Sequence, residues 1–365
     1  MYQPDIEFIR EMIKKLSFPR VASSDDERKA FAIVENEIKK YGLDFEYQFY
    51  EGEWRESYEA YLMCNNRRID VTSTMDYNFM NLEWGFSESY DTHIESFLSN
   101  DKAKKAIRFY NFIEPRDICD DLNAVAFIIE NCADSSQIAC KQLSMEKYIP
   151  CVLISNKDRG YFRENDKIHL NIKTHITMRS FRNMIIKSKN KSVAPIIIGA
   201  HIDTFVGSPG ASDDTFGVAI GIDIMRQCGN ENIWMILFTG EEMGRLGSID
   251  FVNRNIIDDG VKPKIYMNID SGIEKGSGGI QITITPKRLA DKMANLFEKE
   301  YIVGNDVFSS NDAIPFHELG IPIFWSWANS PYRAHSIDDT LDNIDQNQLC
   351  KMAENYSLAL NHLFS

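Results

Sequence analysis

Residues 194–219 read APIIIGAHIDTFVGSPGASDDTFGVA. The apolar run Ala194–Ile198 leads into His201 and Asp203, and a turn of small residues, Ser208 to Ser212, ends on the pair Asp213-Asp214. A helical pattern follows from Gly217 to Gln227. A continuous apolar strand, a turn and a helix form the repeating unit of an α/β sheet that is covered on both faces. In open sheets of this kind, ligands bind beyond the carboxyl ends of the strands. Here that end carries an imidazole and several carboxylates.

Three more apolar runs continue the pattern: Ile233–Phe238, Ile265–Ile269 and Ile321–Trp325. The first runs into Glu241 and Glu242, the second into Asp270, and the third reaches His335 after a loop. With a second helical stretch at Lys287–Tyr301, the expected fold is α/β, with a mixed, largely parallel sheet sandwiched by helices. Before this region, residues 4–16 place apolar side chains at helical spacing. Ser24 and Glu27 have the form of a capping box that starts a second helix, and Gly42 stands where its left-handed C-terminal residue belongs. Phe45, Tyr47 and Phe49 alternate as in a strand. Between them and Arg182 the texture changes to short strand-like runs, Ala106–Phe112, Ala124–Ile129, Cys151–Ile154 and Lys167–Ile172, with polar turns. The expected division is therefore one domain of residues 1–52 and 178–365, with a smaller β-rich domain inserted at 53–177.

Carboxylates gathered beyond one sheet edge repel each other and lose hydration, and a divalent cation offsets that cost. Mixed imidazole and carboxylate donors suit zinc, with manganese or cobalt as alternatives. Two ions about 3.5–4 Å apart need a bridging carboxylate and two ligand sets, and the residues beyond these strands supply enough. His201 and Asp203 are two apart on an extended segment and point the same way, so the Asp203 carboxylate can accept from the ring nitrogen of His201 that is not on a metal. Of the neighbours Glu241 and Glu242, one can ligate while the other takes a proton from water. Spacing alone does not say which.

The chain has 365 residues, 44% hydrophobic and 26% charged, with a net charge of −14. That acidity argues against nucleic acid and anionic membranes as partners and is compatible with a cationic group such as a peptide amine. Met1-Tyr2-Gln3-Pro4-Asp5 has neither the basic nor the apolar part of a secretory signal, and no apolar run approaches the ~20 residues of a membrane span. Seven scattered cysteines with no C-x-x-C indicate neither a disulfide framework nor a cysteine zinc site. A reduced, cytoplasmic setting is expected; self-association is left open. His93, His169, His175, His317 and His362 show no partner spacing and read as ordinary histidines. Trp325 and Trp327 fit either an apolar pocket or strand-end packing. Asp338 and Asp339 fit a helix cap or a loop tie.

The segments AHIDTFVGSPGASDDTFGVA (200–219), FTGEEMGRLGS (238–248), MNIDSG (267–272) and AHSIDDTLDNID (334–345) together resemble the zinc-dependent di-metal aminopeptidase family. Its relatives include bacterial leucyl aminopeptidases, glutamate carboxypeptidase and glutaminyl cyclase. The helices before and after Phe18-Pro19-Arg20 are similar to the family's start. The resemblance implies the zinc exopeptidase fold and two Zn2+ ions. It implies that one ion is held by His201, Asp213 and Asp270, the other by Asp213, Glu242 and His335, with Asp213 bridging. Asp213 is preferred to Asp214 because it lies four residues before Gly217. A cis peptide is implied at Asp213–Asp214, Glu241 as general base, and Asp203 as the partner of His201. The implied reaction is hydrolysis of the N-terminal peptide bond of a peptide substrate by a metal-bridging hydroxide. Glutaminyl cyclisation or metallocarboxypeptidase action on the same framework is the alternative, and a receptor-like relative without metal is the non-enzymatic one. Tyr148 to Ser155 gives the inserted region a likeness to protease-associated domains. Two departures stand out: relatives carry a His after the aspartate of the late loop where this chain has Ala313, and some carry a Tyr where it has Ala334. Tyr332 is a candidate substitute for that Tyr.

Overall fold

The structure is a computed structural model and describes residues 1–73, 75–77, 90–110, 123–130, 142–144, 150–188, 190, 194–205, 207–270, 272–298, 311–328, 334–335 and 337–365. In chain order the elements are α1 (Ile6–Leu16), α2 (Asp25–Lys39), β1 (Asp44–Cys64), β2 (Arg67–Ile69), β3 (Val71–Ser73), β4 (Met75–Tyr77), β5 (Tyr90–Phe97), β6 (Ala106–Tyr110), β7 (Ala124–Glu130), β8 (Gln142–Ser144), β9 (Cys151–Ile154) and β10 (Lys167–Lys187). They continue as β11 (Ile196–His201), α3 (Phe216–Cys228), β12 (Ile233–Phe238), α4 (Leu246–Phe251), β13 (Ile265–Asn268), β14 (Gln281–Thr285), α5 (Lys287–Met293), α6 (Ile314–Glu318), β15 (Ile323–Trp327) and α7 (Gln346–Phe364). The chain divides into two compact units: Met1–Glu51, Ser180–Ala334 and Asp338–Ser365 form one, Gly52–Arg179 with His335–Ile337 the other.

The first unit is built on strands in the order β14-β15-β13-β11-β12-β10-β1. The β11–β12, β11–β13 and β13–β15 pairs are parallel, and β14 and β10 flank them antiparallel. Each parallel strand is buried along almost its whole length, which explains why its sequence is an apolar run without alternation. The two faces still sort by parity. Ile196, Ile198 and Ala200 join one buried cluster with α1, α3 and α7, while Ile197 joins another with Ile236, Phe238, Tyr266 and Phe316. The α1 face that packs inward is Ile9, Met12, Ile13 and Leu16, a single helical stripe whose members each stabilise by roughly 1.5–3 kcal/mol when fully buried.

Register then fixes where function can sit. His201 lies opposite Phe238, and Gly199 lies opposite Asn268, which is itself opposite Trp325. The carboxyl ends of β11, β12, β13 and β15 are therefore aligned, and the residues that follow them emerge along one edge. Close packing inside the sheet has its own requirement: a Cβ on Gly199 would lie 2.0 Å from the Tyr266 hydroxyl. That hydroxyl donates to Asn268 Oδ1 at 2.8 Å, and its ring stacks on Phe316.

The expected elements are present with shifted ends. Ser24 caps α2 by accepting from the Glu27 N–H at 3.1 Å, while the Glu27 carboxylate accepts from the Ser23 N–H at 3.0 Å, and Gly42 has φ +63°. The strands expected at Phe45–Tyr50 and Lys167–Ile172 are much longer, because β1 and β10 keep pairing past the alternating stretch. The helix expected at Lys287–Tyr301 ends at Met293 and tightens into one narrower turn, Ala294–Leu296. Its last expected residues lie outside the described ones.

The second unit contains a four-stranded sheet, β3-β9-β7-β6, and the antiparallel pair of β5 with β10. Ile107, Ala126, Ile128, Val152, Ile154, Ile168 and Leu170 form its core. Of the stretch that carries the likeness to protease-associated domains, 150–155 is described and 148–149 lies outside the described residues.

One polar residue ties the first unit together. Arg20 is fully buried, and its guanidinium donates to the carbonyls of Leu16 (3.0 Å), Phe18 (3.2 Å), Ile202 (2.5 Å), Pro209 (2.8 Å) and Gly210 (3.3 Å). Its N–H donates to Thr204 Oγ1 at 2.9 Å. Burial pulls the guanidinium down to about 10, with Asp339, Asp214, Asp203 and Asp213 acting the other way, so it is charged at neutral pH. Arg20→Met leaves these carbonyls without their donor and nearby carboxylates without their cation. The expected loss is at least about 3 kcal/mol, read as a fall in the denaturation midpoint. A loss below about 1 kcal/mol would show that the tie is not needed.

Candidate metal centre

β11 delivers His201 to the aligned edge, buried to 1% exposure. Its Nε2 lies 2.9 Å from Asp213 Oδ1 and 4.0 Å from Asp270 Oδ1. Two groups of donor atoms form here, each with all its atoms within 4.8 Å of one another: His201, Asp213 and Asp270, and Asp213, Glu242 and His335. Asp213 belongs to both. Glu242 is buried, and Asp213, Asp270 and His335 are partly exposed, so the groups can be reached from solvent. The Asp213–Asp214 peptide is cis.

The loop bearing Asp213 is held by its backbone. The Asp339 carboxylate accepts from the N–H groups of Ser212 (2.7 Å) and Asp213 (3.1 Å). The Ser212 hydroxyl accepts from the Ile273 N–H at 2.8 Å. The Asp214 carboxylate accepts from the N–H groups of His201 (3.2 Å) and Gly217 (3.1 Å), so it fastens the end of β11 to the start of α3. A Cβ on Gly217 would fall 2.4 Å from that carboxylate and 2.3 Å from the Ile269 carbonyl. Trp325 donates from its indole to the Asp270 carbonyl at 2.8 Å and stacks on Trp327, which supports the packing role for this tryptophan. Glu274 accepts from the Ala334 N–H, beside His335, at 3.0 Å.

Asp203 differs from expectation in one respect. The Nδ1 of His201 lies 3.1 Å from the Asp203 backbone carbonyl and 3.7 Å from its carboxylate. The chain turns after β11, so the strand alternation that would aim the carboxylate at the ring no longer applies. The carboxylate instead accepts from the Glu241 N–H at 3.4 Å, which links the histidine segment to the Glu241-Glu242 turn. Asp339 ties the Asp213 loop, and α7 is capped by Asp345, which accepts from Asn347 and Gln348. Asp312, buried and close enough to act on Glu241 and Asp270, was not singled out by the motifs. Its membership depends on the loop before α6, which no local pattern announces. Tyr332 lies outside the described residues. His93 and His169, which read from the sequence as ordinary histidines, meet around Glu95; the strand pairing that joins them is not visible from their spacing.

The electrostatics are those of acids crowded out of water. Burial pushes Glu241 well above the usual carboxylate range, His201 opposes, and Asp270, Asp312 and Glu242 push further. Asp270 is pushed up to about 7 by burial, with His201 opposing and Asp213 and Asp312 adding. Asp312 is pushed up to about 6, again by burial first. Burial alone would lower His201, but its hydrogen bonds with Asp203 and Asp213 and the charge of Glu241 raise it well above the ordinary value. Two imidazoles and several carboxylates with partial solvent access match the donor preference of zinc, so the residues fit a pair of divalent cations.

Residues 183–360 match the peptidase family M28. Every residue of the two donor groups falls within that segment. Over the longer chain, Aminopeptidase YwaD of Bacillus subtilis is 24% identical across 361 residues, covering 91% of this chain and 78% of the relative. A zinc aminopeptidase from Bacillus subtilis superposes with a TM-score of 0.74 at 19% identity, covering 100% of this chain and 96% of that one. An aminopeptidase from Aneurinibacillus sp. strain AM-1 superposes with a TM-score of 0.68 at 22% identity, covering 98% and 93%. These structural likenesses are of fold. Arg20, α1 and α2 lie outside the M28 segment yet pack against it.

The raised acids set a pH dependence for chelator-treated protein. Asp270, Asp312 and His201 all hold protons more tightly folded than unfolded, so their stabilisation is complete below the unfolded values and is lost as pH rises through the folded ones. The melting temperature of the chelated protein should fall between about pH 5 and 8, and added zinc should restore it. The lowered carboxyls of Asp5, Glu35, Glu37 and Asp166 act at more acid pH. A melting temperature that rises over this interval would contradict the assignment.

Proposed function

We propose that the chain is a di-zinc aminopeptidase that removes residues from the free N-terminus of peptides. The observation that carries this reading is the membership of Asp213 in both three-residue groups, which is what a carboxylate shared by two cations requires. His201 and Asp270 would complete one ligand set, Glu242 and His335 the other. Bound there, the cations would polarise a peptide carbonyl and acidify a water molecule.

The protein's own residues have the remaining tasks. Glu241 stands beside Glu242 but outside both groups, and its raised affinity for protons suits a general base that takes a proton from water and passes it to the leaving amine. Asp203 orients the turn through the Glu241 N–H and lines the back of His201. The surplus of carboxylates around the site, with Asp312 added to the ligands, favours a substrate that brings a positive charge, which is why the amino terminus is preferred to the carboxyl terminus. We read the region 53–177 as a protease-associated type of inserted domain. The free thiols of Cys64, Cys228 and Cys350 fit a reducing, cytoplasmic setting. Among the described residues no helix is long and apolar enough to cross a membrane.

Glu241→Gln should leave zinc content unchanged and lower kcat by about 10²–10⁴-fold. Near-wild-type turnover would remove Glu241 from the mechanism. A panel of free and N-acetylated peptides, assayed with and without chelator, tests the polarity. Free peptides should be trimmed from the N-terminus, blocked ones spared, and chelation should abolish the activity. Cleavage of blocked peptides from their carboxyl end would overturn the aminopeptidase reading.

A further inference from the structure

The second unit carries a further arrangement of donors. His93 and Glu95 are two residues apart on β5 and therefore share a face. The register of β5 with β10 sets His169 directly opposite Glu95, so all three side chains project from the same face of the sheet to which both strands belong. The Oε1 of Glu95 lies 3.5 Å from His93 Nε2 and 3.1 Å from His169 Nδ1. The three donor atoms all fall within 4.8 Å of one another.

These separations can be set against coordination geometry. A tetrahedral zinc with bonds of about 2.0–2.1 Å holds its ligand atoms about 3.3 Å apart. The two distances to Glu95 bracket that value. The side chains are 54%, 63% and 40% exposed for His93, Glu95 and His169, which leaves room for water as a fourth ligand. Two imidazoles and one carboxylate select a borderline ion such as zinc over calcium or magnesium, which take oxygen donors.

We propose that His93, Glu95 and His169 form a zinc site separate from the catalytic donors, one that fastens β5 to β10. A cation bound there holds the two strands in their pairing register and stabilises the folded chain in proportion to its occupancy. The site does not depend on the aminopeptidase reading, because none of its residues belongs to either catalytic group.

The experiment counts metal. The whole protein and its His93→Gln/His169→Gln variant are dialysed against the same low-micromolar free zinc, and bound zinc is measured by plasma mass spectrometry. The parent should retain one equivalent more than the variant, with both hydrolysing peptide at the same rate. Glu95→Gln should raise the zinc concentration needed to fill that equivalent. The difference between parent and variant is the readout, so it stands whatever the catalytic centre holds. Equal zinc in parent and variant, leaving only a surface histidine–carboxylate pair, overturns the proposal. So does a loss of zinc matched by an equal loss of activity, which would assign the metal to the catalytic centre.

Discussion

The fold has to keep a group of buried carboxylates together against their mutual repulsion. Asp203, Asp213, Asp214, Glu242, Asp270, Asp312 and Asp339 converge beyond one sheet edge, and burial raises the proton affinity of several of them. Three kinds of partner oppose that cost. Backbone N–H groups at the end of β11, in the 212–213 turn and at the start of α3 donate to Asp214 and Asp339. The guanidinium of Arg20 supplies a charge behind the loops. The donor set itself is shaped for cations. The parallel sheet contributes what none of these can: four strand ends in register, which deliver the acids from distant parts of the chain to one place.

Arg20 is central because it joins two requirements. It satisfies the carbonyls left at the end of α1 and those of the 209–210 turn, as helix ends and tight loops demand. At the same time it lies in the field of the acids. A lysine could supply the charge but not the fork of donors that reaches five carbonyls. This explains how a residue outside the M28 segment comes to bear on the loop that presents Asp213.

Much of this was legible from residues alone. Apolar runs ending in His or acid gave the parallel strands, because burial on both faces removes polar residues from a strand and leaves them at its end. The residues that the structure gathers into two groups were implied by the family resemblance of the four motifs, since spacing alone separates neither Glu241 from Glu242 nor Asp213 from Asp214. What escaped the sequence depended on long-range geometry. The sequence leaves Asp339 between a helix cap and a loop tie; its carboxylate holds the 212–213 backbone, and the cap falls to Asp345. The His201 partner was expected from strand alternation, which ends where the chain turns. The length of β1 and β10 follows from pairing, not from the composition of either strand. His93 and His169 are 76 positions apart in the chain, and only strand register makes them neighbours.

The hydrogen bonds from Ser212 and Asp213 to Asp339 span 127 and 126 residues. Tyr2, at the other extreme, donates its N–H to Asn361 at 2.8 Å and accepts from the Ser357 hydroxyl at 2.7 Å. Contacts of this range cannot form while the later partner is still inside the ribosome. Synthesis proceeds at about 5–20 residues per second, so the segment from Asp213 to Asp339 takes at least several seconds to appear. Through that interval the backbone of Asp213 lacks its bond to Asp339. A growing chain therefore cannot complete this centre until residue 339 has emerged, long after the strand that carries His201 is made.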